Sequence, residues 1–171
     1  TMEHTKRLTM GAILTALALA LSYMERFFPL QLLVPLPGVK LGLANLVTVF
    51  ALYFLTVREA GMILILRCAL GSLFSTGVTA FLFSIGGGLL ALLVMAALKR
   101  CKGLSLYGIS MAGAAAHNIG QLSVAALVLG SSYVWAYLPF LLLVSLATGT
   151  ITGTVAAYGF RGLLGAGLRM R

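Results

Sequence analysis

The chain is a succession of long apolar runs interrupted by short polar or glycine-bearing breaks. The runs cover about 8–27, 39–56, 60–74, 78–98, 107–129 and 134–160. Most approach the roughly 20 residues that a helix needs to cross a bilayer. The breaks between them are Val57-Arg58-Glu59, Ser75-Thr76-Gly77, Lys99-Arg100-Cys101-Lys102-Gly103 and Gly130-Ser131-Ser132. The first connection, 29–38, is different. It holds three of the four prolines, which rules out a regular helix, yet it is too apolar for a solvated loop. It reads as a loop lying in the membrane interface or folding back into protein. The pattern therefore predicts an all-α, polytopic integral membrane protein of six transmembrane helices, forming a single domain over 1–171.

Composition sharpens this picture. The 171 residues are 61% hydrophobic and 9% charged, too few charges to cover a soluble globule of this size. The runs account for nearly the whole chain, leaving no room for a soluble catalytic domain. The formal net charge is +9. In a soluble protein that would suggest nucleic acid, but here the placement of the charges speaks for a positive-inside bias and against a nucleic-acid partner. Lys6, Arg7, Arg58, Lys99, Arg100, Lys102, Arg161, Arg169 and Arg171 fall on one side of a six-span layout, and only Arg26 and Lys40 on the other. That asymmetry predicts a multi-pass protein of the bacterial plasma membrane with both termini in the cytoplasm. The basic start ahead of residues 8–21 has a signal-peptide flavour, but the rest of the chain is equally apolar, so it is read as an uncleaved first span. Thr1, ahead of Met2, is read as an added residue. The tail, 161–171, is read as a short interfacial helix.

The acids are Glu3, Glu25 and Glu59, and the chain has no Asp. Paired carboxylates for acid–base catalysis and a carboxylate cage for a hard cation are both excluded. Cys68 and Cys101 lie in different segments and read as packing residues. His117 has no second ligand at metal spacing, so no metal and no cofactor is expected. No GxxxxGK[ST] motif is present, which excludes ATP hydrolysis by this chain.

The polar residues inside the spans carry the remaining information. Arg67 lies about eight residues into its span, roughly 12 Å deep at helical rise. A charge at mid-span costs roughly 2.5–3.5 kcal/mol on insertion scales, so it must face protein, water or a bound anion. A structural pair with Glu25 is one alternative. Gly71 and Ser75 follow on the same face and leave space. His117 and Gln121 share a helix face with Asn118 beside them, while Asn45 and Lys40 form a second polar group. These residues are either interhelical glue or a ligand pocket. Lys40 is equally explained by snorkelling, and Glu25 and Arg26 by a solvated helix end. Arg67, Lys40 and His117 together predict an electropositive cavity in the outer half, suited to an anionic ligand with an apolar body. Ala12, Ala16 and Ala20 form a small-residue face on the first span, and Gly149 and Gly153 a GxxxG pair in the last. Such faces pack within a bundle or dock another membrane protein.

Three ordered motifs resemble the Gx transporter family, also labelled heptaprenyl diphosphate synthase component I. They are residues 37–45 (PGVKLGLAN), Arg67 to Gly71 with Phe83 to Gly87, and Ala116 to Gln121. The resemblance covers nearly the whole chain. The family looks related to the substrate-binding S components of energy-coupling factor transporters, which implies an S-component-like bundle. In that group an alanine-rich face of the first helix docks the transmembrane coupling subunit, and Ala12, Ala16 and Ala20 match it. The first outer loop lids the substrate there, and 29–38 is similar in position. Family members also occur beside flavin-based extracellular electron transfer and quinone metabolism.

Two readings follow. In the first, the chain is the substrate-binding membrane subunit of a transporter for a small anionic or amphipathic molecule. Lys40 and Arg67 neutralise ligand charge, Asn45, His117, Asn118 and Gln121 orient it, and the resemblance implies separate ATPase and transmembrane coupling subunits as partners. In the second, it is a non-catalytic membrane subunit of an isoprenoid, quinone or flavin-based electron-transfer assembly. Neither reading makes the chain an enzyme, because prenyl elongation needs Asp-rich motifs to hold magnesium on a diphosphate.

Overall fold

The computed structural model describes residues 2–28, 30–36, 39–74 and 77–170. Among these the architecture is entirely helical. Helix α1 spans Met2–Met24 and ends in a 3-10 turn, Glu25–Phe27; α2 is a single turn, Leu30–Leu33. Then come α3 (Asn45–Phe54), α4 (Val57–Leu73), α5 (Val78–Leu98) and α6 (Leu106–Leu129). A 3-10 turn, Ser132–Tyr137, leads into α7, Leu138–Gly165. Four stretches, His4–Phe27, Val78–Leu98, Leu106–Leu129 and Ser132–Gly165, are long and apolar enough to cross a membrane.

Local chemistry explains the helix limits. Thr56 caps α4 through a capping box: its hydroxyl accepts from Glu59 N–H while the Glu59 carboxylate accepts from Thr56 N–H at 2.8 Å. Ser105 caps α6, and Gly130 ends it in the left-handed region with φ of 61°. Pro139 sits in the first turn of α7, where no intrahelical N–H is needed.

Helix α6 packs between α5 and α7, while α1 leans on α3 and α4. The α5–α6 crossing is close because glycines face each other. A Cβ on Gly120 would stand 2.6 Å from the Gly86 carbonyl oxygen and 2.8 Å from the Gly87 Cα. Short α3 is the central element, with nearly every residue buried. Phe50, Tyr53 and Phe54 pack their rings on Phe160 of α7 at centroid distances of 5.0, 5.1 and 5.1 Å. The two chain ends lie together, since Thr5, Lys6 and Thr9 share a groove with Gly162, Leu163 and Leu168.

The distribution of polarity is that of a protein in lipid. Large apolar side chains such as Ile13, Met62, Leu93, Leu127, Leu143 and Ile151 are exposed. Asn45, Thr48, Arg67, Ser84, His117, Asn118, Gln121, Ser145 and Thr148 are buried. In lipid the polar groups gather inside, where they can satisfy one another.

Two expectations change. The apolar run 39–56 forms helix only over Asn45–Phe54. Residues 39–44 are non-helical, with Gly42 at φ +83°, and they fold back against α6. Non-helical backbone at membrane depth is tolerated when protein surrounds it, and Val39, Gly42 and Ala44 are buried. The tail expected as a separate interfacial helix begins as a continuation of α7 to Gly165. Pro29, Pro37, Gly38, Ser75, Thr76 and Arg171, which figured in the loop, turn and charge readings, lie outside the described residues.

Candidate functional site

Two polar groups meet around the non-helical segment 39–44. The first is a cleft between α1, α4 and α5, lined by Ser22, Lys40, Arg67, Cys68, Gly71 and Ser84 among others. It encloses only about 10 Å³, close to the space of one water. Among the described residues no carboxylate lines it.

Arg67 dominates this cleft. It is 5% exposed, and among the described residues its hydrogen bond is a long one, from Nη1 to Ser22 Oγ at 3.5 Å. Its Nε and Nη2 are buried with no partner among the described residues. Those two nitrogens form the side edge of the guanidinium, whose parallel N–H groups match the two oxygens of a carboxylate or phosphate. Gly88 of α5 gives this edge its room: a Cβ there would come within 3.2 Å of Arg67 Nη2. Ser84, one turn earlier on α5, also has a buried hydroxyl without a partner. The expected alternative of an Arg67–Glu25 ion pair is not formed among the described residues.

The second group surrounds His117 on α6. His117 is 2% exposed; its ring lies against the Gly87 backbone, which interacts with it, and makes no well-formed hydrogen bond among the described residues. It is wedged between two glycines. A Cβ on Gly42 would lie 2.9 Å from His117 Cδ2 and 2.9 Å from Asn45 Nδ2; one on Gly87 would lie 2.9 Å from His117 Nδ1. The Asn45 amide is likewise unpartnered at both ends. Arg67, Asn45, His117 and Ser84 thus keep unused hydrogen-bonding capacity in a buried setting, where each such group is costly unless something else satisfies it.

Asn118 and Gln121 behave differently. The Gln121 amide pairs with the backbone of Lys40 in both directions. Lys40 N–H donates to Gln121 Oε1 at 2.8 Å, and Gln121 Nε2 donates to the Lys40 carbonyl at 2.9 Å. Gln121 Nε2 also donates to Asn118 Oδ1 at 3.1 Å, and Asn118 Nδ2 donates to Leu141 O and Ser145 Oγ at 3.0 and 2.8 Å. These two residues tie segment 39–44 to α6 and α7.

Lys40 lines the Arg67 cleft and is half-buried, more enclosed than simple snorkelling requires. Glu25 was expected at a solvated helix end and is instead 7% exposed. Its carboxylate accepts the Leu43 N–H and interacts electrostatically with both Lys40 and Arg67. Its neighbour Arg26 is exposed and donates to the Phe74 carbonyl at 2.7 Å. Sequence reading passed over Ser22 and Ser84 as site residues and left the burial of Glu25 as one of two alternatives. The available signal for Glu25 was its rarity, as one of three acids in the chain.

On α1, Ala12, Ala16 and Ala20 are exposed. Ala12 and Ala16 line an open groove against α4, with Gly11, Thr15, Ile63 and Leu66.

No curated protein and no solved structure matches the chain. Among protein families, the one described as heptaprenyl diphosphate synthase component I matches over residues 14–159. That stretch holds both polar groups and the segment between them, and on it the chain belongs to the heptaprenyl diphosphate synthase component I family.

Proposed function

We propose that the chain is the substrate-binding membrane subunit of a transporter for a small anionic molecule with an apolar body. One observation carries the reading: Arg67, buried within α4, has no partner for Nε and Nη2 among the described residues, and it lines a cleft together with Lys40. A charge in that position needs a counter-charge, and an anion on this edge supplies it. Asn45, His117 and Ser84 stand ready to orient the rest of the ligand, while Asn118 and Gln121 support the segment that carries Lys40. The chain itself is not an enzyme in this reading. Energy comes from separate ATPase and transmembrane coupling subunits, with the exposed Ala12-Ala16-Ala20 face of α1 as the docking surface and both termini in the cytoplasm.

Mass spectrometry of small molecules retained by the purified protein tests this. A retained anion that disappears in Arg67→Leu, while the variant keeps its helical content, is the expected result. Equal retention by the wild type and Arg67→Leu overturns the assignment.

The family description favours a second reading, a non-catalytic membrane component beside an Asp-bearing synthase. Stoichiometric co-purification of such a partner, with nothing retained in the cleft, selects that reading over the first.

A further inference from the structure

The cleft has a charge balance as well as a shape. Arg67 and Lys40 bring two positive charges to its wall. Glu25 does not line the cleft, but it is buried, accepts the N–H of Leu43 three residues beyond Lys40, and follows by three residues Ser22, whose hydroxyl Arg67 reaches. The only other acidic side chains, Glu3 and Glu59, belong to the opposite ends of their helices. Two cations and one carboxylate leave a single formal positive charge to be neutralised.

We propose that Glu25 sets the valence of the ligand, so that the cleft takes a singly charged carboxylate in preference to a phosphate or diphosphate. The inference rests on the anion-binding reading above. The Nε and Nη2 groups of Arg67 donate to carboxylate and phosphate oxygens equally well, so hydrogen-bond geometry does not choose between them. Net charge does. In a buried, low-dielectric site every uncompensated charge is expensive. A monoanion brings the group of Arg67, Lys40, Glu25 and ligand to neutrality, whereas a dianion leaves one negative charge beside the Glu25 carboxylate. The acceptor role of Glu25 is compatible with this: its oxygen fixes Leu43 N–H, which holds the carboxylate in place next to segment 39–44.

Glu25→Gln removes the charge and keeps a carbonyl oxygen for Leu43 N–H. The probes are benzoate and phenyl phosphate, which share a ring; near pH 7.5 the first carries one charge and the second about two. Affinities are measured by titration calorimetry on the protein in nanodiscs. The wild type is expected to bind benzoate at least about tenfold more tightly than phenyl phosphate. Glu25→Gln should level or reverse that ratio. Glu25→Gln combined with Lys40→Met restores one net positive charge and should restore the benzoate preference, an outcome that a purely structural role for Glu25 would not produce. An unchanged ratio in a folded Glu25→Gln variant overturns the proposal while leaving an Arg67-dependent anion site standing. If Glu25→Gln fails to fold, Lys40→Met alone decides: a steeper benzoate preference supports charge balance and an unchanged one overturns it. If neither probe binds the wild type, the anion-site reading falls and the valence proposal with it.

Discussion

Gln121 illustrates how a single side chain can organise a membrane interior. Its amide satisfies both the N–H and the carbonyl of Lys40, as a neighbouring strand would. Each such bond contributes roughly 0.5–1.5 kcal/mol net, and a buried backbone group stripped of its partner costs more. Gln121→Leu is therefore expected to lower stability by about 2 kcal/mol, read from unfolding in mixed micelles. Gln121→Glu should be at least as damaging, because a carboxylate would face the Lys40 carbonyl and Asn118 Oδ1. That Arg67, His117, Asn118 and Gln121 would be interior was legible in the sequence, since polar groups on such apolar runs have nowhere else to go. Which of them are already satisfied was not. Asn118 and Gln121 find partners on 40 and on Leu141 and Ser145, contacts set by tertiary packing, while Arg67 and His117 keep nitrogens without a well-formed hydrogen bond among the described residues. For Glu25 the sequence left a buried partner of Arg67 and a solvated helix end both open, because a carboxylate at a helix end resembles a solvated one until the chain is seen folding over it.

At the scale of helices, the glycines divide into those that make room for backbone and those that merely occupy a turn. A methyl at Gly120 would collide with the backbone of Gly86 and Gly87, which cannot step aside without separating α5 from α6. At Gly61 the nearest atom to a new Cβ is a Leu92 methyl at 3.7 Å, an ordinary contact. Thermal unfolding should show Gly120→Ala losing several kcal/mol, and Gly61→Ala neutral or stabilised by up to about 1 kcal/mol from helix propensity. The end of the bundle nearest the termini offers a pH test. Arg7 donates to Glu59 at 2.7 Å, tying the start of α1 to the capping box of α4. The Arg7 guanidinium beside Glu59 holds its carboxyl down to about 2, below the ordinary 4.5. The contact therefore stabilises above about pH 4.5 and is lost as pH falls toward 2. Both side chains are partly exposed, 39% and 27%, so the contribution should stay below about 1 kcal/mol. In Glu59→Gln the stability difference from wild type should shrink across that window; a constant difference would assign the loss to the cap alone. Long helices such as α5 and α6 were readable from their uninterrupted apolar runs. The start of α3 was not, because 39–44 is as apolar as the helix after it. Only the left-handed backbone at Gly42, packed on His117, shows why the helix waits until Asn45.

For the whole molecule, the decisive quantity is which end faces the cytoplasm. The two chain ends share one end of the bundle, and Lys99, just past α5, lies there too, its Nζ donating to the Leu52 carbonyl at 2.6 Å near the end of α3. Basic side chains resist translocation, so the end that gathers Lys6, Arg7, Arg58, Lys99, Arg100, Lys102, Arg161 and Arg169 should remain inside. The chain carries its own reporter. Cys101 is exposed in the basic break after α5, whereas Cys68 is buried at 4% exposure beside Arg67. A membrane-impermeant maleimide should leave intact cells unlabelled and label inside-out vesicles at Cys101, with Cys101→Ser abolishing the signal. Labelling in intact cells would invert the molecule and place the Arg67 cleft toward the cytoplasm. The orientation also bears on the ligand. A cleft opening outward meets solutes arriving from outside the cell, whereas the inverted arrangement would present Arg67 and Lys40 to the cytoplasmic pool of anions.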